Sequence, residues 1–156
     1  MRRVSQALVG AGIVAAVLVP TAALAQASPS TVHSTTSGRE PGPNPCTGAS
    51  GVFIFDADEV MHTTADGHGR YHFSLTARSD DQFAPDDRTQ PTYTGGDTLH
   101  IDEQDVGGRS TSTYVQVGRV SAPDGSSVTF RSLYHVTIAA DGTPIASRSV
   151  DTVQCG

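Results

Sequence analysis

The sequence contains no tryptophan and no lysine; its 10 basic residues are all arginine, a bias we attribute to genomic base composition. Hydrophobic residues make up 37% and aromatic residues 6%, so only a modest core can form and a covalent tie would add much to it. Positive charge is scarce: 16 carboxylates outnumber the arginines, and the net charge is −6. Nucleic acids and anionic membranes reward clustered Lys and Arg, so neither is an expected partner. Helical periodicity is missing as well. Beyond residue 27, apolar residues nowhere recur at i, i+3, i+4 and i+7 over three turns. Catalytic signatures are also lacking. There is no G-x-S-x-G, and no helical pattern follows Gly95-Gly96 or Gly107-Gly108 that could turn either into a phosphate cradle.

What is present begins with an export pattern. Arg2 and Arg3 give a positive start, the chain is uncharged from Ala7 to Val19, and small residues follow at Ala23, Ala25 and Ala27. Residues 1–27 therefore read as a secretory signal peptide, cleaved after Ala27, and the protein as secreted. The apolar run falls short of the about 20 residues of a transmembrane helix. No cysteine marks the cleavage site and no apolar tail precedes Gly156, so no membrane anchor is expected after cleavage. Export leads to an oxidising compartment, where the only two cysteines, Cys46 and Cys155, are expected to pair. Residues 28–45 are polar, with prolines at 29, 41, 43 and 45, and read as a disordered leader. Residues 46–156 then form a single all-β domain.

Within that domain the signal is strand after strand. Val52 to Asp56 and Asp58 to Thr64 are β-rich, and Arg70 to Arg78 alternates with Tyr71, Phe73, Leu75 and Ala77 on one face. Asp97 to Glu103 alternates Leu99 and Ile101 against His100 and Asp102; longer runs cover 110–121, 127–139 and 145–155. Ala-Asp-Gly at 65–67 and 140–142, and Pro123-Asp124-Gly125, suit a type I turn followed by a left-handed glycine, which predicts three hairpins. With three-residue loops, Val120 opposes Val128, Tyr114 opposes Tyr134, and Arg131 opposes Asp151 as a cross-strand ion pair. Bonding Cys46 to Cys155 requires Cα atoms within about 7 Å, which brings the first and last strands together. The expected fold is a small antiparallel up-and-down, lipocalin-like barrel, with a two-sheet β-sandwich as the alternative.

Asn44-Pro45-Cys46-Thr47-Gly48 after a signal peptide, a strand histidine ahead of an Asp-Gly turn (His62 with Asp66-Gly67, His135 with Asp141-Gly142) and a cysteine near the end form a set. In these features the chain resembles a group of uncharacterised small secreted β-proteins of high-GC Gram-positive bacteria. That resemblance implies the architecture and carries no activity.

Two functional readings follow. The first is a non-enzymatic extracellular binding or interaction module. Its ligand would lie against an apolar face lined by Tyr71, Phe73, Leu99, Phe130 and Tyr134, or be held by long polar loops at 79–91 and 104–110. A small apolar ligand or a cell-surface partner would suit it, and no cofactor is expected. The second is a small His-dependent metalloenzyme built on His62 and His72, with a third ligand from His68, His100 or His135. Against it, His72 lies between inward Tyr71 and Phe73 and so points to solvent. The acidic run Asp80, Asp81, Asp86 and Asp87 lacks the D-x-D-x-D-G order of a calcium loop and reads as a solvated loop.

Overall fold

A computed structural model of the chain describes residues 29–156 with the exception of residue 67. The segment read as a signal peptide, 1–27, lies outside the described residues. Seven strands follow one another: β1 (Ser30–Pro43), β2 (Ser50–Ala65), β3 (Arg70–Pro85), β4 (Tyr93–Val106), β5 (Arg109–Ser121), β6 (Ser127–Ile138) and β7 (Pro144–Cys155). All pair antiparallel with their neighbours in chain order, in one up-and-down sheet, and no helix occurs among the described residues. The outer edges of β1 and β7 carry no strand partner, so the sheet is not closed on itself by hydrogen bonds.

The expected disulfide forms. Cys46, in the β1–β2 connection, bonds to Cys155 at the end of β7 with a Cα–Cα distance of 5.7 Å. Laid flat, strands about 4.8 Å apart would leave roughly 25 Å between these positions. The sheet is therefore rolled at this end. The face turned inward carries Phe53, Phe83, Tyr93, Val120 and Val128, which pack with Ala122 and Cys46 into the core. Phe83 is the centre of that floor at 1% exposure, 4.8 Å from the Phe53 ring centroid and 6.3 Å from that of Tyr93.

Two of the predicted hairpin turns form as read. Ala122 N–H donates to Ser126 O and Ala139 N–H to Thr143 O, each at 2.8 Å, with Gly125 at φ 91° and Gly142 at φ 85°. Asp124 and Asp141 brace them by accepting the Ser126 and Thr143 N–H at 2.9 Å. The first hairpin uses the same three-residue loop displaced by two positions. Asp66 N–H donates to Arg70 O at 3.0 Å, and Gly69, at φ 79°, is its left-handed glycine.

Several expectations are corrected. The segment 28–45 is not a disordered leader through its length, because residues 30–43 form β1. Its prolines are tolerated because β1 is an edge: Pro41 and Pro43, two residues apart, share one orientation, and an edge strand leaves one row of N–H positions without a ladder partner. Gly38 admits the ring of Phe55, which a Cβ there would strike. The runs 52–56 and 58–64 are one strand, β2. The loop expected at 79–91 shrinks because β3 continues to Pro85, and the one at 104–110 is a two-residue turn of Gly107 (φ 64°) and Gly108 (φ 81°). The Arg131–Asp151 ion pair does not form. A bulge leaves Ile145 without an opposite residue, so Arg131 faces Thr152 and Asp151 faces Ser132 on the other side of the sheet.

Candidate functional site

The pairing register assigns every strand side chain to one of two faces. Tyr71, Phe73, Leu99, Phe130 and Tyr134, the residues expected to line a ligand surface, all lie on the inner face. Only the end nearest the disulfide is filled. Farther from it the inner face is open, with Tyr134 45% exposed and Val32 on β1 48%; at the β7 margin Val153, two residues from Cys155, is 50% exposed. Every residue of β7 is exposed, on both faces. The result is a trough with an aromatic floor, open along the seam between β1 and β7.

A polar network that sequence reasoning missed crosses this trough. Ser79 Oγ lies 2.7 Å from Asp81 Oδ1 and 2.8 Å from Asp97 Oδ1. Asp97 also accepts from the Gln116 amide, whose oxygen accepts from the Tyr114 hydroxyl. Burial pushes the Asp81 carboxyl above the usual range, and the neighbouring charges of Asp97 and Asp80 add to the rise. Ser79 carries one hydroxyl hydrogen, so it donates to only one of these two carboxylates at a time and leaves the other without it. Burial likewise raises the Tyr114 phenol, helped by the charges of Asp97 on β4 and Asp151 on β7. The signal was available: Tyr71, Phe73, Leu75 and Ala77 alternate inward, and Ser79 and Asp81 continue that series where a loop was expected.

An Asp81→Asn variant should therefore be more stable than the parent at neutral pH. A carboxyl whose folded pKa is raised supplies stability fully below its unfolded value, near 3.8, and loses it as pH rises through the folded value. The Asn variant should melt a few degrees higher at pH 7, with the gain shrinking towards about pH 3.5. Paired thermal melts at the two pH values check this; an equal shift at both would count against a raised Asp81 carboxyl.

Charge is sorted between the faces. The inner face holds Glu40, Glu59, Asp81 and Asp97, then Glu103, Asp105 and Asp151, and no arginine or histidine. Every strand arginine is on the outer face, as are His33, His62, His72, His100 and His135. The outer face also carries Asp56, Asp58, Asp80 and Asp102, so its charge is mixed.

The two histidines of the metal reading share the outer face as diagonal neighbours, His62 being opposite Ser74 and His72 opposite Thr64. Each has another partner. His62 Nδ1 is 3.1 Å from Thr31 Oγ1, and His72 Nε2 is 2.8 Å from Asp102 Oδ2, a contact that holds the Asp102 carboxyl below its usual range. His100 and His135 meet the opposing hydroxyls of Thr76 and Thr113. No group of three His, Cys, Asp or Glu side chains comes together as metal ligands among the described residues. A shallow depression of about 420 Å³ beside the β2–β3 hairpin is lined by Thr64, Tyr71, His72 and Gln104. No helix among the described residues is long and apolar enough to cross a membrane. No protein-family model, no curated protein and no solved structure matches this chain.

Proposed function

We propose that this is a secreted, non-enzymatic binding module whose ligand lies in the trough on the inner face. The observation that carries the reading is an inner face left open above its aromatic floor, with Tyr134 and Val153 half exposed. Apolar and aromatic surface of this kind on a concave sheet is what a small ligand uses, whereas a purely structural sheet would fill it. We read the architecture as an opened up-and-down barrel rather than a sandwich. Its strands run in one chain-ordered sheet, and the disulfide draws its two margins together. The disulfide also supports an oxidising, extracellular setting. Recognition would belong to the trough rather than to loops, since the connections are short.

Native mass spectrometry and elemental analysis of protein purified without chelator test the reading. The expected result is a retained organic molecule, or a rise in melting temperature with small amphiphiles, and no stoichiometric transition metal. A ligand at 100 times its Kd contributes about 2.7 kcal/mol of stability, readily seen in a melt. Stoichiometric zinc, copper or iron lost on His62→Ala or His72→Ala would overturn it.

A further inference from the structure

Resting on that reading, we propose that the ligand of the trough is a small organic cation, an amine or quaternary ammonium with an apolar body. The inner face is an unpartnered sheet face whose ionisable strand residues are carboxylates and tyrosines, while the strand arginines and histidines all face outward. Chance and solubility do not call for such sorting. Carboxylates on a half-buried face repel one another and lose hydration, and none of the strand arginines turns inward to neutralise them. Unneutralised charge of one sign on a concave surface is matched by a ligand of the opposite sign.

The form of the cation follows from what surrounds the carboxylates. Tyr114 and Tyr134 are directly opposite one another on β5 and β6, with Asp97 and Asp151 on the flanking strands of the same face. Aromatic faces attract cations that are weakly hydrated, and the adjoining Phe130 and Leu99 offer contact for an apolar body. A bare metal ion fits poorly, because the carboxylates are spread over several strands and nowhere gather as a set of three ligands among the described residues. Asp151 is available for such a role: it stands on the exposed strand β7, and its charge acts on the Tyr114 phenol.

Isothermal titration with hexyltrimethylammonium, 1-hexanol and hexanesulfonate, on the disulfide-intact protein, tests the proposal. The cation is expected to bind at least tenfold more tightly than the alcohol, with an affinity that falls as salt is raised. Asp151→Asn should weaken the cation severalfold and leave the alcohol unchanged. Asp97→Asn should do the same if circular dichroism shows it folded. Asp56→Asn, an outer-face change, should alter neither. Equal affinity for cation and alcohol would remove the charge preference while leaving the trough as a binding site. Preference for the sulfonate, or an Asp56→Asn effect as large as that of Asp151→Asn, would also overturn the cation assignment. Binding of none of the three would count against the trough itself.

Discussion

Reducing the Cys46–Cys155 bond, or replacing either cysteine with serine, is expected to unfold the protein or bring it close to unfolding at 37 °C. The link spans a sequence separation of 109, and closing a loop of that length is credited with about 4.7 kcal/mol in the chain-entropy model. Total stabilities of small domains are about 5–15 kcal/mol, so one bond carries a large share. Its position increases its importance. No hydrogen-bonded ladder joins β1 to β7, so the covalent tie is the main link between the two margins of the rolled sheet. Gly156 and Ser127 exchange backbone hydrogen bonds of 3.0 and 2.8 Å beside it, and these should be lost with it. Denaturant titration with and without reductant, read by circular dichroism, measures the effect; a midpoint unchanged by reduction would contradict it.

Replacing Phe83 with alanine should cost about 3–5 kcal/mol, the usual range for removing a fully buried aromatic ring. Phe83 is the largest fully buried side chain among the described residues. It is wedged between Phe53 and Tyr93 in the floor of the trough, and a methyl group leaves a void that the strands on either side cannot close. The ring of Phe83 also fills the space beside Gly51, where no Cβ would fit, so the backbone of β2 loses a neighbour too. Phe55 or Phe73, each only partly buried on the same face, should cost less when truncated. Chemical denaturation of the three alanine variants would show the order. If Phe83→Ala proved the mildest, the core would lie elsewhere than at the disulfide end.

The β5–β6 register illustrates what local signals carry. Pro123-Asp124-Gly125 has the chemistry of one turn type, and that turn alone sets Tyr114 opposite Tyr134 and Val120 opposite Val128, as found. The next hairpin has an equally clear turn at 140–142, yet its register slips by one residue beyond Thr137 because of a bulge at Ile145. Nothing in Pro144-Ile145-Ala146 announces that extra residue. Its effect is to put Asp151 on the inner face, so the resulting candidate site could not have been assembled from the turn alone. The apolar members of the trough were legible, since alternation is a property of neighbouring residues. Its polar members were missed: Ser79 and Asp81 extend the inward alternation of β3 but read as part of a loop at 79–91, and Asp97 opens the β-rich run 97–103 with nothing local to say that it meets them.

By itself the sequence determined the β character, the inward series of aromatic and aliphatic residues and the identity of the cross-linked cysteines. Each of these depends on the periodicity of a few consecutive residues or on there being only two thiols. The tertiary structure alone decided that the polar segment 30–43 is a strand, because β1 is held by the edge of β2 rather than by any strong propensity of its own. It also decided the sorting of charge between the faces and the open seam beside β7. Those features depend on which distant strands are brought into register and how far the sheet rolls, and both are set by contacts between residues far apart in the chain.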